Sequence, residues 1–122
     1  MKPETAGVVD LKPRTKKYAL NVIRLYQILP KTREEARIIG RQFLRSGTSV
    51  AANYREASRA RSRAEFISKI EICAQEADET QLWLELLGEG CSLDHELVSA
   101  LWKESDELIS IFVTMSKNTK SR

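Results

Sequence analysis

Residues 32–60 read TREEARIIGRQFLRSGTSVAANYREASRA, and their periodicity is that of one long amphipathic helix. At 3.6 residues per turn each residue advances about 100°, which gathers Ala36, Ile39, Phe43, Val50, Tyr54 and Ala57 into one apolar stripe. The opposite sector holds Arg33, Arg37, Arg41, Arg45, Arg55 and Arg59, with Arg63 just beyond. Thr32 and Glu35 form a T-x-x-E capping box that is expected to open this helix. At the standard rise it extends about 40 Å. Ile38 and Leu44 fall within or beside the arginine sector, so part of that strip is expected to be covered by a partner.

Working outward, the spacing predicts a first helix over 15–29, with Ala19, Val22, Ile23, Tyr26 and Leu29 as its core stripe and Pro30 closing it. Ser62 and Glu65 repeat the capping box and open a third helix. Phe66, Ile70, Cys73, Ala77, Thr80, Leu84 and Leu87 form its stripe, and Gly88 and Gly90 end it. Ser92 or Asp94 is expected to cap a fourth helix, whose stripe is Leu97, Leu101, Leu108, Ile111, Phe112 and Met115. No stretch shows the alternation of a strand. Four helices with short connections predict an all-α, antiparallel up-down-up-down four-helix bundle over 15–116. A flexible N-terminal arm (1–14), marked by Pro3, Gly7 and Pro13, and a polar tail (117–122) flank it.

The formal charge of +3 hides an electrical split. Residues 1–63 contain 15 Lys/Arg against 5 Asp/Glu, whereas residues 64–122 contain 5 against 12. The basic half suits an anionic polymer such as nucleic acid, or the acidic half of another copy of the chain. With 122 residues, 42% apolar and 30% charged, the chain suits a single globular domain. It has no apolar run of the roughly 20 residues that cross a bilayer and no signal-like leader, which points to the cytoplasm and away from a membrane. Cys73 and Cys91 lie too far apart along the chain's helices for a disulfide and read as free thiols.

Gly40 and Gly47, one heptad apart, with Ser46, Ser49, Ala51 and Ala52, let another backbone approach closely, either a neighbouring helix or another subunit. The arginines have two readings of the same kind. Guanidinium groups that can be approached together suit phosphates, because affinity is the sum of modest, salt-sensitive contacts. Alternatively they pair with Glu34, Glu56 or the third helix's Glu71, Asp78, Glu79 and Glu85. No Gly-rich phosphate loop, metal-ligand cluster or nucleophile–base pair is present, so neither an enzyme nor a cofactor is expected. His95 reads as a first-turn surface residue, and Asn53 and Glu56 as hydrogen-bonding residues that fix the arginine helix. Tyr54, Trp83 and Trp102 are the aromatics with any prospect of stacking on bases, and the core is the expected place of each.

The run from Arg41 to Ala57, followed by SRAEFISK over 62–69 and EADETQLWLELL over 76–87, resembles a bacterial four-helix-bundle family. Its members are named after the ribosomal S23 protein or the 23S rRNA intervening sequence that encodes some of them. The resemblance covers roughly 18–87. It implies a bundle that assembles into a homopentameric, barrel-like ring. A related branch, the accessory variability determinant of diversity-generating retroelements, is similar in fold and binds RNA and a reverse transcriptase through a basic surface. The expectation is therefore a non-enzymatic homo-oligomer that contacts an RNA or DNA backbone through Arg33, Arg37, Arg41, Arg45, Arg55, Arg59 and Arg63. The alternative is a protein–protein adaptor or assembly ring, with a partner such as a reverse transcriptase and no nucleic-acid contact.

Overall fold

A computed structural model describes residues 10–122 and shows four long helices. Helix α1 spans Leu11–Gln27, α2 Glu34–Ala57, α3 Arg63–Glu85 and α4 Glu96–Lys120. Among the described residues there is no strand. A π-helical turn, Leu86–Gly90, continues α3 and closes with a bond from the Cys91 N–H to the Leu86 carbonyl.

Several boundaries differ from those the sequence suggests, for local reasons. Helix α1 begins at Leu11, four residues early, because the Asp10 carboxylate caps it by accepting from the Lys12 N–H at 3.0 Å. Residues 11–14 of the expected arm are therefore helical, its residues 1–9 lie outside the described range, and the expected tail is helical as far as Lys120. The Thr32–Glu35 box is not used: Arg33 occupies the N-cap of α2 without a side-chain cap bond. The second box is used, with Ser62 Oγ accepting from the Glu65 N–H at 3.0 Å. Neither Ser92 nor Asp94 caps α4; His95 does, its Nδ1 accepting from the Leu97 N–H at 3.0 Å.

Cross-helix contacts run in opposite directions along each successive pair. Val22 and Leu29 of α1 meet Gly47 and Gly40 of α2, while Glu56 and Arg45 of α2 meet Lys69 and Glu79 of α3. Glu71 and Gln81 of α3 meet Ser116 and Asp106 of α4. Helix α3 packs about equally closely on α2 and α4, α1 packs mainly on α2, and of the neighbouring pairs α1 and α4 touch least. The α1–α4 seam is held by Arg14, which pairs with Glu104 and Glu107, each at 2.7 Å. These bonds, Glu104's first, raise the guanidinium's pKa against the opposing effect of burial.

The stripes of α2, α3 and α4 are buried largely as their periodicity predicts, around Phe43, Val50, Ile70, Leu84, Leu101, Leu108 and Phe112. Helix α1 is rotated from its expected phase. Leu11, Thr15, Tyr18, Val22, Leu25 and Leu29 face inward, whereas Ile23 is exposed and Ala19 and Tyr26 are half-buried. Each helix also contributes a buried hydroxyl near the bundle's middle. Tyr18 Oη and Ser105 Oγ lie 2.5 Å apart, and Ser46 Oγ and Thr80 Oγ1 2.7 Å. Ser105 and Thr80 also donate to carbonyls of their own helices, so this polar layer is satisfied without water. Cys73 and Cys91 are buried free thiols.

Candidate nucleic-acid interface

The seven arginines do not form one strip. Arg33 pairs with Glu35 at 2.8 Å and donates to the Cys91 carbonyl at 2.7 Å, fastening the start of α2 to the turn after α3. Arg45 bridges Glu76 at 3.3 Å and Glu79 at 2.6 Å on α3. Arg63 belongs to α3 and donates to the Arg122 carbonyl at 2.7 Å. These three serve internal contacts. Arg37, Arg41, Arg55 and Arg59 are exposed, and among the described residues none has a carboxylate within ion-pair distance.

The division follows from what the neighbouring helices bring within reach. Arg45 sits on the α3 side of the outward face, within reach of two carboxylates on the neighbouring helix. Arg55 and Arg59 line a groove shared with α1, where the neighbour offers cations, and Arg37 and Arg41 stand exposed earlier on the same helix. A groove of about 520 Å³ between α1 and α2 is lined by Lys12, Lys16, Arg55 and Arg59 over a floor that includes Ala19, Ala51 and Ala52. Its one carboxylate, Glu56, is engaged by Lys69 of α3 at 2.6 Å, a bond that raises the Lys69 pKa. The groove therefore presents four cations to solvent against one neutralised acid. Lys12 and Lys16 were legible as an i, i+4 pair only once α1 is known to begin at Leu11.

The small residues of α2 have an internal use. A Cβ at Gly47 would stand 2.7 Å from a Val22 methyl, and one at Gly40 2.6 Å from Leu29 Cδ1, so α1 occupies that surface within the subunit. Ala52 stays exposed and Ala51 half-exposed in the groove. Leu44 packs partly against the core, but Ile38 stays 54% exposed among the described residues. Asn53 is half-buried and donates to the Ser49 carbonyl at 2.9 Å, whereas Glu56 is exposed and acts through its ion pair. Tyr54 lies against Phe112, Trp83 Nε1 donates to Glu79, and Trp102 Nε1 donates to Glu85. None of the three lines the basic groove. Among the described residues no group of His, Cys, Asp and Glu side chains is arranged to hold a metal ion, and no helix is long and apolar enough to cross a membrane.

A family described as the 23S rRNA-intervening sequence protein matches residues 10–114, which takes in α1, α2, α3 and most of α4. The chain belongs to that family. A crystal structure of an S23 ribosomal protein family member of unknown function, from Bacteroides thetaiotaomicron VPI-5482, is similar to it at 35% identity and a TM-score of 0.80. That similarity covers 88% of this chain and 99% of the other. No curated protein matches. Membership in the 23S rRNA-intervening sequence protein family accounts for the all-α bundle. The relative's function is unknown, and no enzymatic role accompanies either match.

Proposed function

We propose that the protein is a non-enzymatic homo-oligomer that binds a nucleic-acid backbone through the α1–α2 face. The observation that carries this reading is the set of exposed, uncompensated cations: Arg55, Arg59, Lys12 and Lys16 around the α1–α2 groove, with Arg37 and Arg41 further along the exposed side of α2. Side chains already bonded to carboxylates or carbonyls would have to exchange those bonds for phosphate, whereas these six gain it by displacing counterions alone. Arg33, Arg45 and Arg63 are structural in this reading. Reversal of Arg37, Arg41 and Arg59 to Glu should abolish binding to generic RNA or duplex DNA at low salt while the oligomer mass stays unchanged. Loss of the oligomer in the same variant assigns these arginines to assembly instead.

The oligomer is expected to be the pentameric ring that the family resemblance implies. Exposed Ile38, Leu82 and Leu86, together with the charge asymmetry between the two halves of the chain, supply apolar and electrostatic material for subunit contacts. Sedimentation equilibrium of the 13.9 kDa chain should return a mass near five protomers, and a monomer at micromolar concentration overturns the ring. The same exposed residues favour the second reading, an adaptor or assembly ring for a protein partner such as a reverse transcriptase. That reading takes over if the parent protein binds neither RNA nor DNA at low salt.

A further inference from the structure

The free arginines of α2 are a repeat. Arg37 and Arg41 form an i, i+4 pair, and Arg55 and Arg59 form a second pair 18 residues later. Eighteen residues are five complete turns at 3.6 residues per turn, so Arg55 points in the direction of Arg37, displaced about 27 Å along the axis, and Arg59 follows it in the tighter closing turn. Arg59 lies just past the Ser58 C-cap, where bonds from the Arg59 and Ala60 N–H groups to Glu56 and Ala57 continue the turn. Between the pairs this sector holds half-buried Leu44 and Thr48 and exposed Ala52, and its one further charge, Arg45, is held at its edge by Glu76 and Glu79.

We infer that this face straddles one turn of an A-form RNA duplex, each arginine pair meeting the same phosphate ridge at successive turns. The inference rests on the backbone-binding reading above and names its substrate class. A rigid helix fixes the distance between its two basic ends, and in a duplex the distance between successive passes of one ridge is the helical repeat. B-form DNA repeats at roughly 34–36 Å, longer than the separation of the pairs. Arginines could reach that spacing only by splaying apart in extended rotamers, at a cost in side-chain entropy. The A-form, with its shorter rise per base pair, brings the ridges closer. Single strands are disfavoured for a separate reason: Trp83, Trp102 and Tyr54, which would stack on unpaired bases, do not line this face.

The test compares one sequence as a 20-base-pair RNA duplex, the matching DNA duplex, a single-stranded RNA and a six-base-pair RNA duplex too short to reach both pairs. Binding is followed against salt for the parent and for the double variants R37Q/R41Q and R55Q/R59Q, all surface changes whose fold is checked by circular dichroism. The long RNA duplex should bind tightest, with a log–log salt slope about two units steeper than the DNA duplex, because one arginine pair loses its phosphates on DNA. Each double variant should flatten the long-RNA slope by about two units, and the short duplex should show that flattened slope with the parent. RNA and DNA duplexes bound equally, or the single strand bound best, would overturn the duplex-RNA inference and leave backbone binding standing. If none of the four is bound at low salt, backbone binding itself falls, and this inference with it.

Discussion

Gly47 of α2 lies so close to Val22 of α1 that a Cβ there would meet both Val22 methyls, at 2.7 and 2.8 Å. Valine is stiff about χ1, and rotation exchanges one methyl for another instead of clearing space. Gly47→Ala must therefore push α1 outward, away from the helix that holds it best. A gain in helix propensity of up to about 1 kcal/mol opposes an overpacking cost of about 1–3 kcal/mol, so the net expectation is destabilisation. Gly90→Ala, where nothing lies within 4 Å, is the control and should shift the melting temperature little. Equal melts for the two variants would mean that α1 is free to move aside.

The core carries a larger effect. Phe43 of α2 and Leu84, near the end of α3, are both fully buried. Truncation of either to Ala should cost about 2–5 kcal/mol in urea unfolding, because the removed side chain leaves a cavity that the rigid bundle fills incompletely.

Alkaline pH should destabilise the fold, and the sign follows from two buried acids. Burial, opposed by the Ser105 hydrogen bond, pushes the Tyr18 phenol from 10.0 up to about 12, and burial pushes the Cys73 thiol from 9.0 up to about 12. Between those values the unfolded chain has released protons that the folded chain still holds, so stability falls as pH rises. Each group contributes a slope of about 1.4 kcal/mol per pH unit once its unfolded form is ionised. Tyr18→Phe and Cys73→Ala should each remove its share when denaturant melts are compared between pH 8 and 11. An unchanged slope in both variants places the alkaline sensitivity elsewhere.

The arginines should separate by role. Arg45→Ala removes the bridge to Glu76 and Glu79, a half-exposed pair worth about 1 kcal/mol or less, and should leave the salt slope of RNA binding as it was. Arg41→Ala should leave stability unchanged and flatten that slope by about one unit. The reverse pattern would assign Arg45 to the ligand and Arg41 to the fold.

Much of the bundle was legible in the chain because α2 and α4 each carry one clear apolar stripe, while α3, apolar on several sides with Leu82 exposed, still buries the heptad-spaced residues. Phe43, Ile70, Leu84, Leu108 and Phe112 fall where their periodicity places them. Helix α1 was misphased because its apolar residues populate more than one sector. Leu20, Ile23 and Ile28 remain 36–47% exposed, while Thr15 and the hydroxyl of Tyr18 are taken inside. A hydroxyl counts as polar in a pattern, and whether it can be buried depends on a partner such as Ser105 that lies far away in sequence.

The sequence by itself determined four helices, a split distribution of charge and an arginine-rich α2, because periodicity and composition are local properties that a chain carries before it folds. Only the tertiary structure decided which arginines are free. Arg37, Arg41 and Arg45 are alike on a helical wheel, yet Arg45 reaches Glu76 and Glu79, and the other two are exposed with no carboxylate within ion-pair distance among the described residues. The fate of a surface charge depends on what the adjacent helix brings within about 4 Å, and spacing along one helix holds no record of that.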